Sequence, residues 1–173
     1  MTQTKEIHHS RFFAALPEEV FRAFTDAALL ADWWGRHDFT NPECEMDARP
    51  GGRLRIVMRS PEGVDYPLLG TVLEMDAPSH LALAFDLTEF PTDWREAVCA
   101  GLPEADATLV NEHQLDLTFT EQPIGTQLDL RFCFPTPALR DAFHHCGMIE
   151  GWNEALDSLN ALLTRSALKP LHT

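Results

Sequence analysis

Hydrophobic positions along the chain follow two rhythms, one near 3.6 residues and one of 2, and the changes of rhythm mark out the elements. Lys5–Ala14 reads as a first strand, although its HHSRFF centre alternates poorly. Pro17 followed by Glu18 and Glu19 makes a helix start, with proline in the first turn and acids at the positive end of the dipole. Val20, Phe21 and Phe24 then share one face. Asp26 is placed to cap a second short helix, Ala27 to Trp34, which Gly35 ends.

Beyond Gly35 the period becomes 2. In Gly52–Ser60, Leu54, Ile56 and Met58 alternate with Arg53, Arg55, Val57 and Arg59, giving one apolar and one cationic face. Pro61-Glu62-Gly63 is a turn into a strand from Val64 to Met75, where Pro67 predicts an edge or an irregular beginning. Pro78-Ser79 turns the chain into Leu81–Leu87, with Leu81, Leu83, Phe85 and Leu87 on one side. Leu109–Phe119 puts Leu109, Asn111, His113, Leu115, Leu117 and Phe119 on one face. Gln127–Phe134 does the same with Leu128, Leu130, Phe132 and Phe134, after a short hairpin loop at 122–125. Half-buried alternation of this kind predicts an antiparallel sheet with one covered face.

The cover is predicted last. Thr136 can cap a helix with Pro137 in its first turn, and an apolar stripe continues through Met148, Trp152, Ala155, Leu156, Leu159, Leu162 and Leu163. Taken as one helix, it would run 25 residues or more, about 38 Å. The expected class is therefore α+β, in a single domain over 1–173.

Composition narrows the function. At 45% hydrophobic and 23% charged the chain is an ordinary globular one. No apolar run of about 18 residues offers a membrane span, and the N-terminus lacks the layout of a secretory signal, so a cytoplasmic setting is expected. Of the net charge of −14, nine carboxylates against Arg95 between Asp86 and Glu121 supply −8. Such a field repels polyanions and excludes nucleic acid as the expected partner. Cys44, Cys99, Cys133 and Cys146 stand too far apart for a zinc site and are expected to be reduced.

Several strings carry a resemblance: PEEVFRAFTDAALLADWWG, RPGGRLRIVMRSPEG, YPLLGTVLEMDAPSHLALAF, GTQLDLRFCF and RDAFHHCGMIEGWNEALDSLNALL. They are similar to the bacterial branch of the activator of heat-shock-protein-90 ATPase homologue family. Trp33-Trp34-Gly35, and Gly147-Met148 with Gly151-Trp152, are the most specific parts. The resemblance implies a START-like helix-grip fold: a strand, two short helices, six more strands forming a curved seven-stranded antiparallel sheet, and a long C-terminal helix closing a cavity against it. Two departures stand out. The family's WWGP reads Trp33-Trp34-Gly35-Arg36, which removes the turn fixed by that proline. Residues 88–107 form a longer connection, in which Trp94, Ala97, Val98 and Leu102 fit a short amphipathic helix, read as a flap near the cavity mouth.

Candidate chemistry is sparse. His113 lies on an otherwise apolar strand face beside Asn111 and is placed to hydrogen-bond a ligand or act as acid or base. His144 and His145 point about 100° apart in a helix, and His8 and His9 face opposite sides of a strand, so neither pair forms a metal site. Neither a nucleophile motif nor a phosphate loop is present, and no cofactor or metal is expected. Gly147 and Gly151, one turn apart, open the final helix for close approach, for a ligand or for a kink. Trp34, Tyr66, Phe85, Trp94, His113, Phe132, Phe134, Met148 and Trp152 are the candidate ligand-binding residues. The expected function is binding of a small apolar or aromatic ligand between sheet and final helix. The alternatives are a cyclase- or hydrolase-type cavity enzyme using His113, and a chaperone-interacting protein. The last is disfavoured because the eukaryotic activators carry a further N-terminal domain, for which 173 residues leave no room. Exposed strand edges make a homodimer an expectation too.

Overall fold

A computed structural model describes residues 4–168. Strand β1 (Glu6–Phe13) is followed by helices α1 (Pro17–Thr25) and α2 (Ala27–Trp33). Strands β2 (Thr40–Met46), β3 (Arg53–Arg59), β4 (Asp65–Asp76) and β5 (His80–Asp86) then form a meander. The connection that follows holds two short helices, α3 (Thr92–Cys99) and α4 (Glu104–Ala107). Strands β6 (Glu112–Gln122) and β7 (Gly125–Cys133) lead to α5 (Pro137–His145) and α6 (Met148–Leu168). All neighbouring strands are antiparallel, in the order β1-β7-β6-β5-β4-β3-β2.

Local chemistry sets the two early helices. The Glu19 carboxylate accepts from the Leu16 backbone N–H at α1, and Asp26 accepts from the N–H groups of Ala28 and Leu29 at α2. Trp33 is 2% exposed, and its indole N–H donates to the Ala23 carbonyl at 2.9 Å, tying the second helix to the first. Val20, Phe21 and Phe24 are buried on the predicted face, and the rings of Phe21 and Phe24 meet Phe119 of β6 edge-on.

Inward strand positions match the alternation over most of the sheet. Leu54, Ile56, Leu81, Leu83, Leu115, Leu117, Leu128 and Leu130 are all at most 2% exposed. Strand β1 alternates poorly because its inward His9 and Arg11 face polar groups of α6. His9 Nε2 donates to Asn153 Oδ1 at 2.8 Å, and Arg11 Nη1 pairs with Asp157 at 2.7 Å. Pro67 lies in an internal strand, yet β5 pairs with β4 only from Leu69 onward, so the proline occupies a locally free edge.

Two expectations are corrected, and one strand had gone unread. The final helix is not continuous: it breaks after α5 at Cys146-Gly147, where Gly147 takes a φ of 84°, and α6 restarts with 21 residues. A left-handed residue ends a helix because the following N–H can no longer continue the ladder. Leu109–Asn111 is not strand: turn hydrogen bonds from Thr108, Leu109 and Val110 back to Glu104, Asp106 and Ala107 carry the chain past α4. This inverts the expected facing, with Leu109 40% exposed and Val110 buried. Strand β2 follows no pattern read from the sequence, since a register shift between Thr40 and Glu43 interrupts its pairing at the sheet edge. No helix among the described residues is long and apolar enough to cross a membrane.

Candidate ligand cavity between sheet, final helix and flap

The sheet and α6 do not meet along their whole length. A cavity of about 380 Å³, open at its mouth, lies between β3–β6, the α5–α6 junction and the connection after β5. Adjacent tryptophans divide the work at its base. Trp33 fills the core, while Trp34 turns its ring to the cavity and packs edge-on against Trp152 of α6, with centroids 5.1 Å apart, and against Phe85 of β5 at 6.2 Å.

From there a run of aromatic rings goes round the wall. Phe39 meets Tyr66 at 5.8 Å, Tyr66 meets Phe90 at 5.6 Å, Phe90 meets Trp94 at 4.8 Å, and Trp94 meets Phe143 of α5 at 5.8 Å. The connection at 88–107 thus carries a short helix, α3, with Trp94 lining the cavity and Val98 buried, whereas Ala97 is exposed and Leu102 lies beyond the helix. Arg95 holds this segment to itself, donating through Nη2 to the carbonyls of Thr88 and Phe90.

His113 closes the circuit. It is 8% exposed, directly across from Phe85 in the β5–β6 register, stacked on Phe134 at 5.1 Å and 5.3 Å from the Phe143 ring centroid. Burial among these rings pushes its pKa down to about 4, because an imidazolium there would be stripped of solvent. Its Nδ1 is buried with no hydrogen-bond partner. Such orphans are rare, since an unmatched buried polar atom costs about 1–3 kcal/mol. Asn41 Oδ1, Arg95 Nε and Asn111 Oδ1 are buried without partners as well.

Of the nine predicted residues, Trp34, Tyr66, Phe85, Trp94, His113, Met148 and Trp152 line the cavity. Phe132 and Phe134 do not: Phe132 is fully buried beneath Trp152, and Phe134 backs the His113 ring from the far side. Sequence reasoning missed Phe39 and Phe90, which sit in irregular segments without periodicity, and Phe143. Phe143 had a signal, since it is four residues from buried Leu139 on one face of α5.

Arg36 was missed as well. Standing where the family pattern has proline, it reaches over the α5–α6 junction, donating through Nη2 to the Gly147 carbonyl at 3.2 Å and through Nη1 to Glu154 at 3.3 Å. The turn that proline would fix is closed instead by Gly35 at a φ of 89° and by the Phe39 N–H donating to the Arg36 carbonyl.

The titratable lining groups are Arg36, Tyr66, His113 and Cys146, and no carboxylate is among them. Two larger depressions, about 850 and 620 Å³, lie along the opposite face of the sheet. Their walls carry charged side chains such as Arg55 in the larger and the Arg131–Asp116 ion pair in the smaller, as expected of a solvated surface. All four cysteines are unbridged, and burial raises the thiol pKa of Cys44, to about 11, and those of Cys99 and Cys133. Among the described residues, His144 and His145 are exposed and no cluster of metal-binding side chains forms.

Comparison with known proteins sets this arrangement in context. No curated protein matches the chain. A solved structure from Rhodobacter sphaeroides is 26% identical and superposes with a TM-score of 0.76 over 93% of each chain. One from Nitrosomonas europaea is 21% identical with a TM-score of 0.75, covering 96% of this chain and 98% of that one. The AHSA1 protein from Silicibacter pomeroyi is 22% identical with a TM-score of 0.68, covering 93% and 99%. Residues 14–164 match the family described as activator of Hsp90 ATPase homolog 1-like protein, and the chain belongs to that family.

Proposed function

We propose that the protein binds a small apolar or aromatic ligand in the cavity between the sheet, the α5–α6 junction and the 88–107 flap. The observation that carries this reading is a space walled almost entirely by aromatic and aliphatic side chains, with His113, whose Nδ1 is buried and unpaired, among the lining residues. Small-molecule sites have this composition, an apolar enclosure with a few placed polar groups, and 380 Å³ lies within their usual range. A catalytic reading has less support. A general acid or base works best with a pKa near the working pH, and burial takes His113 down to about 4 with no carboxylate beside it in the lining.

The test is a thermal-shift screen against neutral lipids and aromatic compounds. A ligand at 100 times its Kd stabilises by about 2.7 kcal/mol, which raises Tm by roughly 5–10 °C in a chain of this size. A panel that leaves Tm unmoved throughout overturns the proposal.

A further inference from the structure

Resting on the binding reading above, we infer that the ligand is an uncharged ring compound bearing one hydrogen-bonding group, such as a hydroxyl or carbonyl, and that His113 reads this group. Four observations on the cavity converge on this class. The imidazole of His113 is more than nine-tenths buried, lines the cavity, and keeps an unpartnered Nδ1. A ligand group that pairs with Nδ1 removes the cost of the orphan; a pure hydrocarbon leaves it standing. The faces around the ring are the aromatic side chains of Phe85, Phe134 and Phe143, so no protein group there supplies a counter-charge.

A neutral imidazole offers one N–H and one lone pair, which suits an alcohol, phenol or ketone. It gives a buried carboxylate one neutral hydrogen bond and no counter-charge, too little to offset desolvation. Arg36 is the single lining side chain with a permanent positive charge, and it is engaged with Glu154 and the Gly147 carbonyl. A chain of net charge −14 adds a repulsive field for any anion. An organic cation is drawn by the same field and by the aromatic faces. The lining holds no carboxylate to pair with it, however, and the Arg36 charge stands at the α5–α6 junction, so the uncharged compound is favoured.

The experiment uses the full chain and displacement of N-phenyl-1-naphthylamine, an uncharged fluorescent probe. The competitors share one ring system and differ in one group: naphthalene, 2-naphthol, 2-naphthoate and 2-naphthyltrimethylammonium. The wild-type protein should bind 2-naphthol about tenfold more tightly than naphthalene, the return on one hydrogen bond. The carboxylate and the ammonium compound should bind more weakly than either. In His113→Phe, which preserves ring stacking on Phe134, the preference for naphthol over naphthalene should vanish while naphthalene itself stays within about twofold. His113→Gln retains a donor and an acceptor and should keep part of the preference, and circular dichroism confirms that each variant folds. Equal binding of naphthol and naphthalene, tightest binding of either charged compound, or an unchanged preference in His113→Phe overturns the ligand class while leaving the cavity a binding site. Absence of any probe binding overturns the binding reading itself and the ligand class with it.

Discussion

The guanidinium of Arg36 lies so close over Gly151 that a β-carbon on the glycine would stand 3.5 Å from both Nε and Nη2. The same side chain reaches the Gly147 carbonyl one turn earlier and Glu154 one turn later. Arg36 therefore spans the break between α5 and α6, beside the cavity that this junction lines. The two glycines that look equivalent in the sequence serve different ends. Gly147 supplies a left-handed backbone with a φ of 84°, whereas Gly151 is ordinary helix under the arginine.

That difference gives opposite signs to the same substitution. Gly147→Ala should destabilise by about 1–2 kcal/mol, since an L side chain resists a left-handed φ. Gly151→Ala should be neutral or should stabilise by up to about 1 kcal/mol, because alanine favours helix and 3.5 Å is ordinary van der Waals contact. Urea melts of the two variants check this. Loss of more than 1 kcal/mol in Gly151→Ala would show that Arg36 cannot yield at all.

The sheet was legible wherever each inward position faces the apolar core, as in Leu81–Leu87 and 127–134. It was illegible where another force sets the facing. Strand β1 presents His9 and Arg11 inward to Asn153 and Asp157, a pairing between residues more than 140 apart that no local pattern carries. The helix start at Thr136-Pro137 and the stripe from Met148 to Leu163 read as one helix in the sequence because the break between them rests on a single left-handed residue, Gly147. The cavity was legible through its aromatic strand and helix positions. Phe39 and Phe90 were not, because their placement depends on turns, and Arg36 shows its role only once the α5–α6 junction exists.

His113 gives the fold a pH dependence of known sign. Its pKa falls from 6.5 to about 4 on folding, through burial. Between those values the unfolded chain takes up a proton that the folded chain refuses, so stability drops as pH falls through that window and levels off below it. At about 1.4 kcal/mol per unit, the full effect is about 3 kcal/mol. Many carboxylates titrate nearby in pH, so the difference between wild type and His113→Phe isolates the imidazole. Urea melts at pH 7 and pH 4.5 should show the wild type losing about 2–3 kcal/mol more than the variant. Parallel losses would mean that His113 is solvated and freely protonated.

Trp94 links the flap to the cavity, and its removal separates flap packing from core packing. The ring is half-buried, resting on Phe90 of its own segment and on Phe143 of α5. Fully buried aromatics cost about 3–5 kcal/mol when cut to alanine. Trp94→Ala should cost clearly less, since the sheet core lies elsewhere. If the flap forms part of the binding wall, the variant should hold N-phenyl-1-naphthylamine about tenfold more weakly, and mostly through faster release, as affinity changes within one site are. Stopped-flow displacement measures that rate, and a urea melt measures the stability. An unchanged release rate with lowered stability would make 88–107 a packed surface connection with no part in holding a ligand.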